Sequence, residues 1–372
     1  MELIKRDNFR DLKEIIQNKV YTKILVVCGK NSFRPAGAGA IIKKLVFRKN
    51  ISYYLKKKKI PEIQELLLLT EKIKKTQPTL IIAIGGGAVM DLAKVANLMA
   101  LEKNIKKKIQ NNIYKNQKKF CDLVAIPMTA GSGAEVTSNA VIYIGKKKYS
   151  VEGDLVKPDH MALFPKLVIS NKKIHIVNSS AFDCFSQSIE SMFSKRSTDE
   201  SVNFSIKSIE VFLRHYNKYI NNKNFENGYQ MSLASYYSGK AISISKTIAP
   251  HAVSYPFTSY FNVHHGHAVS LTLNEFLKFN YLNIDKSSSK FSLKSRYNLL
   301  FKLLKVKNIA ELTNKINFLK SSFSLESNLS LIDKRIPRKI DLITKNVNTQ
   351  RLTNNPTKIS REDIHKILKS II

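Results

Sequence analysis

The chain has 372 residues, enough for two domains with cores of their own, and its 43% hydrophobic and 24% charged residues exclude a disordered chain. Its three cysteines, Cys28, Cys121 and Cys184, form no CxxC pair, which argues against a disulfide framework or a thiolate zinc site and for a reducing compartment. The formal charge of +34 raises nucleic acid as a partner, but the lysines are spread over nearly every segment, in runs such as 56–59, 106–108 and 146–148. They read as solvated surface, so no nucleic-acid partner is expected. The amino terminus, MELIKRDNFRDLKEI, is charged throughout and lacks the apolar core of a signal peptide. The most apolar stretch, 80–99, is broken by glycines, Asp91 and Lys94, so no bilayer span is expected and a cytoplasmic protein is predicted.

In chain order, the apolar run 24–27 ends at Gly29 and reads as a buried strand entering a turn. A second strand is predicted over 47–54, and apolar residues at helical spacing (Ile63, Leu66, Leu67, Ile73) predict an amphipathic helix over 61–76. The β-branched run 80–84 predicts a strand that runs directly into Gly85, Gly86 and Gly87, with a helix starting near Ala88. Another strand, 123–126, ends at Pro127 and a small-residue loop, 129–133. Strands alternating with helices imply parallel βαβ units. From about Ser179 the pattern becomes long and helical, so an α/β domain over 1–178 and an all-α domain over 179–372 are predicted. Ser360 followed by Asp363 signals a last helix.

Two places carry chemistry. A strand ending in three glycines before a helix offers bare backbone N–H groups and a helix dipole to a pyrophosphate, although GxGxxG is absent; a tight packing turn is the other reading. Asp91 is then a first-turn carboxylate with Lys94 as its partner, and Thr129 and Ser132 could lend hydroxyls to a nucleotide. The second place is a histidine cluster, His251, His264, His265 and His267, with Asp183 and Gln187 one turn apart on a predicted helix. A carboxylate with two or three imidazoles suits Fe²⁺ or Zn²⁺ with an open position for a substrate oxygen; satisfied core histidines would look the same.

Five blocks, IIAIGGGAVMDLAK (81–94), IPMTAGSGAEVTS (126–138), SSAFDCFSQSIES (179–191), APHAVSYPFTSYFNVHHGHA (249–268) and NNPTKISREDI (354–364), together resemble the iron-dependent (group III) alcohol dehydrogenase family. That family shares its fold with dehydroquinate synthases. The resemblance implies an α/β domain with a parallel sheet followed by an all-α domain, and a nucleotide, NADPH or NADH, in the cleft between them. It would be held by Gly86, Gly87, Ala88, Asp91, Thr129, Ser132 and Lys148. The implied metal, Fe²⁺ ahead of Zn²⁺, falls on Asp183, His251 and His265, with Gln187 where the family carries a fourth, histidine ligand. An amide oxygen is a weaker donor than imidazole, which leaves His264 or His267 to compensate, the metal less tightly held and of open identity, or the site free of metal.

A second departure is Gly29, where many members carry the carboxylate that holds the ribose hydroxyl; with Lys30 adjacent, NADPH use at least comparable to NADH use is expected. Within the family, FDCFSQSIES, GKAISISKTIAPHAVSYPFTS and HHGHAVSLTL look most like the phosphonoacetaldehyde reductase branch, which makes 2-hydroxyethylphosphonate. The implied substrate is a small anionic aldehyde, with Lys246 as a cationic partner for its phosphonate or as one more surface lysine. His267 and Tyr255 are the candidate proton donors, and a homodimer is expected. Another aldehyde, or a dehydroquinate-synthase-like cyclisation, is the alternative.

Overall fold

The computed structural model describes residues 1–18, 21–47, 49–114, 118–170 and 173–372. The chain divides into two compact units, Met1–Lys172 with Lys223–Tyr236, and Lys173–Asn222 with Tyr237–Ile372.

The first unit is built on a six-stranded parallel sheet of β1 (Glu2–Leu3), β2 (Lys23–Gly29), β3 (Asn50–Lys56), β4 (Leu80–Gly85), β5 (Asp122–Pro127) and, after a hairpin, β8 (His160–Ala162), in the order β1-β8-β5-β4-β2-β3. β2, β4 and β5 are continuous apolar runs because each is buried on both faces. The crossovers are helices α1 (Phe9–Asn18), α2 (Ala38–Leu45), α3 (Ile63–Thr76), α4 (Gly87–Met99) and α5 (Ile105–Gln110), and α6 (Pro165–Ile169) follows the last strand. Leu12, Ile16, Ile42 and Leu45 of α1 and α2 pack into one core with Val26, Ile82 and Val124 of the sheet.

From β2 the chain first adds β3 on one side and then β4 on the other, so the strand order reverses between β2 and β4. Ligands of open α/β sheets bind at the carboxyl ends of the strands at such a switch point. Gly29 and the glycines after Ile84 end these two adjacent strands, whose register pairs Cys28 with Ile84.

One sequence expectation needs correction here. The strand predicted over 47–54 runs from Asn50 to Lys56, and residue 48 lies outside the described residues. The lysine run 146–148, with Lys146 and Lys147 exposed, leads into β7 (Lys147–Glu152), which pairs antiparallel with β6 (Asn139–Ile144) around Gly145, whose φ of 62° suits glycine. Ala140 and Ile142 alternate inward to bury this hairpin.

In the second unit, α7 (Ile174–Phe193), α8 (Asp199–Asn221), the end of α9 (Phe225–Ser245), α10 (Ala249–Phe261) and α11 (His265–Leu282) are followed by shorter helices. α11 packs on both α7 and α10. Val253, Phe257, Leu271 and Phe276 form a core with Ile343, Ile364 and Leu368 of the carboxyl-terminal segment. The terminal helix Arg361–Lys369 begins with the predicted Ser360–Asp363 capping box. No helix among the described residues is long and apolar enough to cross a membrane.

Candidate active site

In the first unit, α4 starts at the glycine turn with Gly86 as its N-cap, whose carbonyl accepts from Val89 N at 2.9 Å. None of the three glycines has a positive φ, and what favours glycine at Gly85 and Gly87 is close approach. A Cβ on Gly85 would lie 2.7 Å from Val89, one on Gly86 would lie 3.4 Å from Thr129 Oγ1, and one on Gly87 would lie 2.6 Å from Ser132 Oγ. The glycine turn and the hydroxyl-bearing loop therefore lie against each other, bringing Gly86, Gly87, Thr129 and Ser132 to one place. The loop is pinned by Ser235, whose hydroxyl accepts from Gly131 N at 2.8 Å, a contact that nothing in the sequence pattern signals.

Asp91 lies one turn into α4. Burial pushes its carboxyl up to about 6, opposed by the charges of Lys94 and Lys148, so Lys148 of the hairpin sits in the field of this carboxylate. Lys94, 1% exposed, donates to Thr137 O at 2.8 Å, Thr137 Oγ1 at 2.9 Å and Asn139 O at 3.1 Å, tying α4 to the β6 entrance. Glu135, in the same loop as Ser132, was not singled out from sequence. It is 2% exposed, neither carboxylate oxygen finds a hydrogen-bond partner from another residue among those described, and burial raises its pKa to about 7. Beside the turn, a Cβ on Gly29 would lie 2.6 Å from Ser32 Oγ.

In the second unit, the only group of three or more metal-binding side chains among the described residues is Asp183, His251 and His265, with donor atoms all within 4.8 Å of one another. Asp183 comes from α7, His251 from the first turn of α10 and His265 from the start of α11. The sequence brings them together through two local devices. Pro256, inside α10, cannot donate to the Ala252 carbonyl, and Asn348 N supplies that hydrogen bond at 3.3 Å. Gly266 lets α11 start hard against α7: a Cβ there would lie 2.0 Å from Ser179 O and 2.7 Å from Asp183 Cβ.

His251 Nε2 lies 3.5 Å from Asp183 Oδ1 and is buried with no hydrogen-bond partner among the described residues. Two donors each about 2.1 Å from a tetrahedral ion lie roughly 3.4 Å apart, so this pair has the spacing of ligands and the wrong geometry for a mutual hydrogen bond. The trio fits a divalent metal. The other ring nitrogen, His251 Nδ1, lies 2.5 Å from Glu190 Oε1, and Glu190 Oε2 accepts from Ile248 N at 2.8 Å. Burial disfavours charge on His251, but Glu190 and Asp183 outweigh it and raise its pKa to about 9. Glu190 is the carboxylate that fixes the imidazole's orientation and makes it a stronger donor. It was legible in principle, since Asp183, Gln187 and Glu190 follow the i, i+4, i+7 pattern of one helical face.

The remaining candidates are dispersed around the trio. The Gln187 amide donates to Asp183 Oδ2 at 3.3 Å, while its oxygen accepts from Ser238 Oγ at 2.9 Å. Tyr255 stacks over His265 with ring centroids 6.0 Å apart. His264 pairs its ring with His175 at 4.8 Å, and His267 sets Nε2 2.8 Å from Glu326 O, so neither completes the donor group in place of Gln187. Burial lowers the His267 pKa. Lys246 is no surface lysine: it is 6% exposed, sits at φ 63° just past the end of α9, and donates to Ser243 O at 3.2 Å.

Family models agree with this geometry. The model described as iron-containing alcohol dehydrogenase matches residues 3–169, and the C-terminal model of the Fe-containing alcohol dehydrogenase family matches residues 177–372. The chain belongs to the iron-containing alcohol dehydrogenase family. Among its relatives, phosphonoacetaldehyde reductase of Streptomyces viridochromogenes is 28% identical over 223 residues, a match that spans 57% of this chain and 56% of that protein. The 4-hydroxybutyrate dehydrogenase of Clostridium kluyveri is 27% identical over 313 residues, 78% of each. Sulfoacetaldehyde reductase from Bifidobacterium kashiwanohense, solved in complex with NAD+, superposes with a TM-score of 0.86 at 22% identity, covering 100% of this chain and 96% of that one. Alcohol dehydrogenase from Oenococcus oeni superposes with a TM-score of 0.88 at 20% identity, covering 100% and 98%. These structures share the fold, an α/β part with a parallel sheet and a helical part.

Proposed function

We propose that this chain reduces a small anionic aldehyde to the alcohol with NADPH or NADH, and that the aldehyde is phosphonoacetaldehyde. The observation that carries the oxidoreductase reading is the Asp183/His251/His265 trio, two of its members buried and His251 Nε2 without a hydrogen-bond partner among the described residues, in a member of the iron-containing alcohol dehydrogenase family. The finer reading is supported by similarity to a phosphonoacetaldehyde reductase and by Lys246, a buried cation in the same unit as the trio.

Asp183, His251 and His265 would hold the metal, which supplies Lewis-acid polarisation of the carbonyl oxygen when bound. Glu190 keeps His251 in the orientation that presents Nε2. Gly86, Gly87 and Ala88 at the start of α4, with Thr129, Ser132, Asp91 and Lys148 near them, would hold the nucleotide, with Gly29 and Lys30 tolerant of a 2′-phosphate. The nucleotide held there would supply hydride to the aldehyde carbon. The developing alkoxide takes a proton from Tyr255, stacked on His265, in preference to His267, whose Nε2 is engaged by the Glu326 carbonyl. Lys246 holds the phosphonate.

A panel of aldehydes assayed by NADPH and NADH oxidation, on protein of measured metal content, tests this. Phosphonoacetaldehyde should give the highest kcat/KM, with NADPH at least as good as NADH. Lys246→Ala should raise KM for phosphonoacetaldehyde far more than for a neutral aldehyde of similar size, and equal effects would refute its role. Tyr255→Phe should lower kcat, and an unchanged pH profile would remove it from the mechanism. The second reading, another anionic aldehyde, is favoured by the longer match to a 4-hydroxybutyrate dehydrogenase, so succinate semialdehyde belongs in the panel. A cyclase would consume no net reduced cofactor.

A further inference from the structure

We infer that Gln187 is not a metal ligand but a positioning residue, which donates to Asp183 and is locked in that sense by Ser238, leaving three protein ligands. This rests on the reading of the trio as a metal site. Asp183 and Gln187 lie one turn apart on α7 and both are buried, at 4% and 3% exposure. A primary amide has two different ends, and each meets its complement: the NH₂ faces Asp183 Oδ2, and the oxygen receives the hydroxyl of Ser238, which is itself fully buried on α9. Turning the amide over would set its oxygen against a carboxylate oxygen, acceptor against acceptor, and would strip Ser238 of its acceptor. The assignment of the two amide atoms thus follows from their neighbours.

The two oxygens of Asp183 are thereby divided. Oδ2 is taken by the Gln187 amide, while Oδ1 is the atom turned toward His251 Nε2, 3.5 Å away. A carboxylate held this way meets a cation through one oxygen, with its plane fixed by the hydrogen bond to the other. Imidazole in place of Gln187 would add a fourth donor nitrogen; the amide instead steadies one of three donors and leaves an additional coordination position to water or substrate.

The test is Co²⁺ titration of the metal-depleted full-length protein, followed by visible ligand-field absorption and by competition with a chelator. Wild type should bind one Co²⁺, and His251→Ala should not. Gln187→Leu, close in volume, should keep the same absorption band shape and lose affinity by about tenfold to a hundredfold, as expected for a lost hydrogen-bond partner of a ligand. Ser238→Ala should shift affinity in the same direction by less, again with an unchanged band. A changed band or abolished binding in folded Gln187→Leu would make Gln187 a ligand and overturn the inference. So would a Ser238→Ala protein that binds more tightly with a changed band, because a released amide would then be turning its oxygen to the metal. Failure of wild type to bind, or binding by His251→Ala equal to wild type, would instead remove the metal reading itself.

Discussion

The glycine turn of the first unit and the donor trio of the second are sites made from opposite materials. The first is backbone: a Cβ on Gly85 would strike Val89 and one on Gly87 would strike Ser132, and the loop they touch offers hydroxyls. The second is built from ionisable side chains, two of them buried and steadied by neighbours, His251 by Glu190 and Asp183 by Gln187. A backbone site is thus sensitive to added volume and indifferent to most charge changes nearby. A site of buried charges depends on its partners, because an unpaired charge there is costly.

The largest effect that tests this contrast should come from His251→Ala, which should cost metal and at least about a thousandfold in kcat/KM, while nucleotide affinity by fluorescence titration stays near wild type. The mirror change, Gly87→Val, should abolish nucleotide binding and leave metal content intact. If either variant lost both ligands while still folded, the separation of the two sites would be broken. Next in size, Gly266→Ala would push a methyl group into Ser179 O and Asp183, so the protein should lose about 3 kcal/mol in urea unfolding, together with its metal.

Glu135 sharpens the contrast from the first unit. Burial raises its pKa from the ordinary 4.5 to about 7, so the folded state holds a proton that the unfolded chain releases. Stability should therefore fall as pH rises from about 4.5 to 7. Glu135→Gln, which imitates the protonated form, should match wild type near pH 4 and exceed it at pH 8 by up to about 3 kcal/mol. Parallel unfolding curves for the two proteins at both pH values would contradict this. The smallest effect is expected of Glu190→Gln, which keeps a hydrogen bond to His251 but not the charge: metal affinity should drop about tenfold to a hundredfold with the fold intact.

How much was legible follows from the same difference. β2, β4 and β5 were readable because strands buried on both faces are unbroken apolar runs, and the turn after β4 because three glycines end such a run. The β6–β7 hairpin was hidden by its lysines, whose chemistry says surface, although Ala140 and Ile142 before them face inward. β1 and β8, two and three residues long, are too short to carry a pattern. Asp183, His251 and His265 were nameable through the family resemblance, but the partners that orient them were not. Glu190 shares a helical face with Asp183, but its bond to His251, like that of Ser238 to Gln187, exists only once α7, α9 and α10 are packed together.

The most direct measurement is NADPH oxidation in the presence of phosphonoacetaldehyde by wild-type protein, before and after metal removal and after Fe²⁺ is restored. The account predicts one NADPH consumed per aldehyde reduced, loss of turnover on metal removal and recovery on reloading. Turnover that is indifferent to metal, or product formed with no net loss of NADPH, would contradict it.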